Sequence, residues 1–228
     1  MSSTGQKAYG AIREAIINGV YAPATRLREE HLAETIGVSR TPIRDALKRL
    51  ALEKLVTLEP NQGAFVASWS AQDLEDIFKI RSLVECEAAG LATLRLSRQE
   101  IDVLRDLADQ MCELYRAQSK GFLDEIAKLN HKFHRLIIYA AGNERISQVL
   151  EQAIEMPVVH QTFRRYDNEE LLRSLGHHRE LVAAFTARDE KWATAVMLCH
   201  ILSAKHVLLS AIDKSKQPVP NSLSSGHI

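Results

Sequence analysis

The 228-residue chain has no uninterrupted apolar run of about 18 residues, the length a helix needs to cross a bilayer, so no membrane partner is expected. Its first ten residues, MSSTGQKAYG, lack the apolar core of a secretory signal, and the expected location is the cytoplasm. Cysteine is scarce. Cys86, Cys112 and Cys199 are odd in number and widely spaced, which excludes a disulfide or zinc framework and leaves three reduced thiols. There is no internal repeat and no HExxH, and no Asp or Glu stands out as a general base on the histidine-bearing faces, which argues against a metal-dependent enzyme. Net charge is absent too, with 29 basic and 29 acidic residues.

That balance is not even along the chain. Residues 1–69 hold 9 Lys and Arg against 7 Asp and Glu, a small excess that residues 70–228 reverse. Within ten residues Arg40, Arg44, Lys48 and Arg49 meet only Asp45. A local basic stripe of this kind matters more for phosphate binding than the whole-chain total.

Apolar residues recur at helical spacing through almost all of the sequence, and the expected fold is mainly α. A first helix is predicted over 6–18, with Ala8, Ile12, Ala15 and Ile16 on one face. Arg28 to Ile36 forms a short second helix ended by Gly37. Ser39 stands at the cap of a third that runs to about Lys54, with Pro42 in its first turn, where a missing N–H costs nothing. The one β signal follows: Val56–Leu58 and Ala64–Val66 flank the turn Glu59-Pro60-Asn61-Gln62-Gly63. The domain boundary is expected near 67–71, giving an N-terminal unit over 1–69. Six helices are predicted beyond it, at about 71–95, 98–119, 121–141, 143–164, 168–187 and 189–213, forming an all-α bundle over 70–214. Ser70-Ala-Gln-Asp and Ser97-Arg-Gln-Glu have capping-box spacing. The polar, Pro- and Ser-rich end is expected to be a disordered tail over 215–228.

Two short helices separated by Gly37-Val38-Ser39 have helix-turn-helix spacing. Ile43, Ala46, Leu47 and Leu50 make the inward face of the second, from which Thr41, Arg44 and Lys48 project away. Arg40 and Arg44 lie one turn apart near its N-terminus, the end that enters the major groove in this motif. Arginine there can bond guanine O6 and N7 in pairs, while Thr41 and the exposed N–H groups at the helix start suit phosphate. A solvated basic face on an ordinary helix is the plain alternative.

The stretch LREEHLAETIGVSRTPIRDALKRLALEKLVTLEPNQGAFV, Leu27–Val66, closely resembles the winged helix-turn-helix of GntR-family regulators, and Val38–Leu47 carries the most specific part of the likeness. The resemblance implies operator contacts from Arg28, Arg40, Thr41 and Arg44; Ser39 at the helix start and Lys48 on the same outward face are further DNA-binding candidates. It places Gly63 at the wing tip, near the minor groove, with Gln62 beside it.

In the second part, polar residues occupy positions where the apolar period expects the core. Asn130 and His134 share a face with Ile137 and Ala141, His178 precedes Leu181, Val182 and Phe185, and His200 lies between Val196 and Ala204. A buried polar group without a partner costs about 1–3 kcal/mol, so three inward imidazoles need partners. A shared divalent metal would satisfy all three, and helix bundles commonly hold metals this way. A separate hydrogen bond for each ring is the alternative. Arg81 shares a face with Ile77, Val84 and Ala88. A buried guanidinium calls for a planar acceptor, either a small carboxylate ligand or a structural partner such as Glu85 one turn on. His131 and His177 are set aside, since they point elsewhere on a helical wheel. His160, Gln161 and Arg164 remain open as cavity-lining residues.

Ile77–Leu209 resembles the FCD ligand-binding domain of the FadR-like branch of the GntR family, through KIRSLVECEAAGLAT, LNHKFHRLIIYAAGN and HREL…ARDEKWATAVMLCHI. Six helices fit its VanR-type subgroup. The resemblance implies a metal held by Asn130, His134, His178 and His200, with Asn130 where Asp is commoner, and a small organic acid facing Arg81. Imidazole ligands favour Zn²⁺ or Ni²⁺ over Mg²⁺ or Ca²⁺. The function so implied is a ligand-responsive repressor that binds palindromic operator DNA as a homodimer. A DNA-binding protein whose metal is purely structural is the nearest alternative.

Overall fold

The computed structural model describes residues 3–17, 19–153 and 156–216, without the side chains of 17, 151–153, 156–157, 160–161 and 211–216. The N-terminal part comprises α1 (Ser3–Ile17), β1 (Arg26–Leu27), α2 (Glu29–Ile36), α3 (Arg40–Leu52), β2 (Val56–Glu59) and β3 (Gly63–Val66). The order β1-β3-β2 is antiparallel throughout, with Val56 opposite Val66, Glu59 opposite Gly63 and Arg26 opposite Phe65. The hairpin is the one expected. The third strand is an addition, because two residues are too short to carry a period.

Gly37 ends α2 in the left-handed region, at φ 72°, donating its N–H to the Ala33 carbonyl. This is the backbone shape that glycine adopts without steric penalty. It turns the chain so that Ile43, Ala46, Leu47 and Leu50 of α3 pack with Ala8 and Ile12 of α1 and Leu32 of α2 over Val56 and Val66 of the sheet. Ser39 occupies the N-cap position of α3, but its side chain makes no capping bond.

The regular elements in the rest of the described residues are all helices: α4 (Ala71–Arg95), α5 (Arg98–Ala117), α6 (Phe122–Ala140), α7 (Glu144–Ala153), α8 (Met156–Arg165), α9 (Asn168–Ala187) and α10 (Glu190–Lys216). Ser70 with Asp73, and Ser97 with Glu100, form complete capping boxes, as their spacing predicts. Asp167 and Glu170 form a third at the start of α9. Residues 143–164, expected as one helix, carry α7 and α8 on either side of 154–155, which lie outside the described residues. The last helix runs two residues into the expected tail, of which 217–228 lie outside the described residues.

Phe78, Leu104, Met111, Phe133 and Phe185 are fully enclosed at the centre of this bundle. By length and composition Glu190–Ser210 could span a membrane. Here it is a core helix, with Ala193, Val196, Met197, Ile201, Ala204 and Leu208 buried in the same cluster. All three cysteines are free thiols.

Candidate metal centre and nucleic-acid interface

Three helices bring the inward histidines together. His134 on α6, His178 on α9 and His200 on α10 are buried, and one ring nitrogen from each lies within 4.8 Å of the others. Asn130, one turn before His134, joins them, with its Oδ1 2.8 Å from His178 Nε2. His134 Nε2 and His200 Nε2 are 3.2 Å apart. Phe133 closes one side, its ring edge-on to His178 at 4.9 Å between centroids.

For two of the three rings the outer nitrogen has a partner that sets its role. His178 Nδ1 lies 2.7 Å from the Ser174 carbonyl oxygen, which can only accept, so Nδ1 carries the proton. His134 Nδ1 lies 2.7 Å from Glu85 Oε2. Burial alone would raise the Glu85 pKa, but Arg81 and His134 outweigh it and hold the group at about 2, an ionised acceptor. His134 Nδ1 is therefore the donor. Burial first, and then the neighbouring His134, push His178 down to about 3, and the same causes, with His178, hold His200 well below the ordinary range. Neutral rings protonated at Nδ1 present bare lone pairs at Nε2. His178 does so toward the Asn130 oxygen, and His134, donating from Nδ1 to Glu85, turns its Nε2 toward His200. Lone pairs turned toward one another in a buried site are a donor set that a cation would satisfy.

Glu85 was legible in the sequence only as a partner for Arg81. In the fold it serves two groups: Oε2 accepts from His134, and Oε1 accepts from Arg81 Nε at 2.7 Å. The salt-bridge alternative for Arg81 is thus realised. This is its only hydrogen bond among the described residues, and both terminal nitrogens remain available. His177 departs from the helical-wheel expectation. It is half-buried, with its ring centroid 5.8 Å from that of His200, because the α9–α10 packing faces it. Ser174 Oγ, His177 Nδ1 and His200 Nδ1 are buried with no hydrogen-bond partner among the described residues. Arg164 pairs with Asp124 on α6. The side chains of His160 and Gln161 lie outside the described residues.

The second candidate surface is the basic face of α3. Arg40, Thr41, Arg44 and Lys48 are exposed there, while Ile43 and Leu47 are buried. The apparent excess of positive charge is partly answered from α2. Arg44 Nε lies 2.7 Å from Glu29 Oε2, and Arg40 Nη2 lies 2.8 Å from Glu30 Oε1. Arg28, Arg40, Arg44 and Gly63 line one cleft of about 400 Å³ between the helix-turn-helix and the hairpin. Gly63, at φ 102°, holds a conformation that favours glycine. Gln62 is exposed beside it, its backbone N–H bonded to the Glu59 carbonyl.

The model of bacterial regulatory proteins of the gntR family matches residues 4–66, and that of the FCD domain matches residues 76–203. The chain belongs to the GntR family, in its FadR-like branch. It is similar to the transcriptional regulator McbR of Escherichia coli, at 32% identity over 76% of this chain and 78% of that protein. The E. coli transcriptional repressor GlaR is 30% identical over 93% of this chain and 99% of that protein. Among solved structures, E. coli McbR/YncC superposes with a TM-score of 0.67 at 26% identity, covering 93% of this chain and all 100% of that one. A GntR regulator from Rhodococcus sp. RHA1 gives 0.65 at 25% identity, covering 92% and 99%. These relatives are transcriptional regulators, and an enzyme is not expected.

Proposed function

We propose that this regulator is a cytoplasmic repressor whose residues 1–69 bind operator DNA and whose residues 70–214 sense a small carboxylate at a metal centre. The observation that carries the reading is the convergence of ring nitrogens from His134, His178 and His200, with the Asn130 oxygen beside them, in the buried bundle core. Zn²⁺ or Ni²⁺ fits this donor set, which is rich in imidazole and holds no thiolate. Bound there, the ion would supply a positive charge for an anionic ligand. The chain's own residues would orient that ligand: Arg81 offers its terminal nitrogens as a planar fork, and Ser174 Oγ and the Nδ1 atoms of His177 and His200 are polar atoms that a ligand or ordered water would satisfy.

On the DNA side, Arg40 and Arg44 would read base edges from the N-terminal half of α3. Arg28, Ser39, Thr41 and Lys48 would hold phosphates, and Gly63 with Gln62 would approach the minor groove. A palindromic operator requires two copies. The exposed outer face of α4, where Leu83 is 68% and Leu94 65% accessible, is the surface on which a second copy would pack. Repression follows the role named for GlaR. Ligand binding can change DNA affinity only by as much as it distinguishes the two arrangements of the dimer.

A core held by hydrogen bonds alone is the rival reading, since an Asn130 amide turned over would donate to His178 Nε2. Elemental analysis of the purified protein, with mass spectrometry of any acid that accompanies it, tests the proposal. Stoichiometric zinc or nickel is expected, and a metal-free protein that represses normally would refute it. Stabilisation by metal but by no organic acid would point instead to a structural ion.

A further inference from the structure

The four candidate ligands, Asn130, His134, His178 and His200, are all neutral, so a divalent ion among them would keep its whole charge inside the bundle. Isolated buried charge is strongly unfavourable. Among the described residues Glu85 is the only buried carboxylate, and it touches one of the ligands. It lies on α4, across the α4–α6 packing from His134. Its two oxygens are divided: Oε2 on His134 Nδ1 and Oε1 on Arg81 Nε, both at 2.7 Å.

From this division we propose that Glu85 is a positioning residue that supplies the centre's negative charge through His134, and that Arg81 competes with the metal for the same carboxylate. The inference rests on the metal reading above. A carboxylate behind a ligating histidine fixes the ring and makes its other nitrogen a better donor. Whatever part of that charge Arg81 draws to Oε1 is lost to His134. An anionic ligand on Arg81's terminal nitrogens would relax this draw, so ligand and metal would strengthen one another, and reciprocity requires the effect to run both ways.

The test is Zn²⁺ affinity of the full-length protein at fixed pH, measured by competition with a chromogenic chelator and without organic acid. Glu85→Gln is expected to weaken zinc binding by about 10–100-fold. Arg81→Gln is expected to tighten it, because the carboxylate is then left to His134. These opposite signs separate the proposal from a merely structural ion pair, whose loss from either side would weaken binding alike. The visible spectrum of the Co²⁺-loaded protein should shift in Glu85→Gln. Unchanged affinity in Glu85→Gln, or weakened or unchanged affinity in a folded Arg81→Gln, overturns the proposal while the metal reading stands. If Glu85→Gln does not fold, the Arg81→Gln arm decides alone. Wild type binding zinc no better than His134→Ala would remove the metal reading and this proposal together.

Discussion

Arg44 on α3 donates from Nε to Glu29 Oε2 on α2 at 2.7 Å, so an arginine of the proposed DNA-reading helix is held by its neighbouring helix in the free protein. The pair is exposed, and an exposed ion pair contributes only about 0–1 kcal/mol. It orients Arg44 without locking it, and a guanine edge offering two acceptors can displace Glu29. Arg44→Ala should therefore cost about 1–3 kcal/mol at the contacted base pair and relax the preference there. Binding to operator variants changed at each position checks this. Operator affinity equal to wild type would remove Arg44 from the contact set.

Lys48 lies a turn further along α3 and faces away from the buried residues. As a phosphate contact, Lys48→Ala should weaken binding evenly across sequences and lower the salt slope by about one ion. A base-dependent loss would make Lys48 a reader rather than an anchor.

His134→Ala removes the ring that links Glu85 to the centre. Metal content by elemental analysis should fall while the proposed DNA-free dimer, read by sedimentation, is unaffected. Equal metal in wild type and variant would show that the ion lies elsewhere.

Asn130→Asp adds an anionic ligand one turn from His134. Zinc affinity should rise, because the carboxylate answers charge that the amide cannot. In the metal-free protein the same substitution places an acid 2.8 Å from a neutral imidazole, and it should shift the melting temperature less than it does with zinc present.

Acid should destabilise the metal-free protein before it affects most carboxylates. His178 is neutral in the fold, with its pKa pushed down to about 3, whereas an unfolded histidine titrates near 6.5. Between those values the unfolded chain binds more protons, so stability falls as pH drops through that window. Glu85, held at about 2, acts in the same direction below the ordinary carboxylate range. Chemical denaturation of apo-protein at stepped pH measures the slope. His178→Leu should reduce the slope above pH 5 without abolishing it, since His200 is also held well below the ordinary range, and an unchanged slope would show that His178 is not responsible.

Periodicity carried most of the architecture. The capping boxes at Ser70 and Ser97, the glycine turn at Gly37 and the hairpin around Gly63 are local devices, read within a few residues of themselves, and each stands where the chain places it. The inward faces of α6, α9 and α10 are local in the same sense, so Asn130, His134, His178 and His200 could be assigned to the interior from spacing alone. What spacing could not supply is which interior atoms meet. Glu85 looks like any acid one turn beyond an arginine until α4 lies against α6 and turns its second oxygen to His134. His177 looks outward on a single wheel until α10 covers it. Glu29 and Glu30 draw no reading from the sequence, and only the packing of α2 on α3 brings Arg40 and Arg44 beside them. A helix's own faces follow from the fixed rotation between successive residues. Contacts between helices depend on how side chains interlock across surfaces far apart in the chain, and that is settled only when the whole core packs at once.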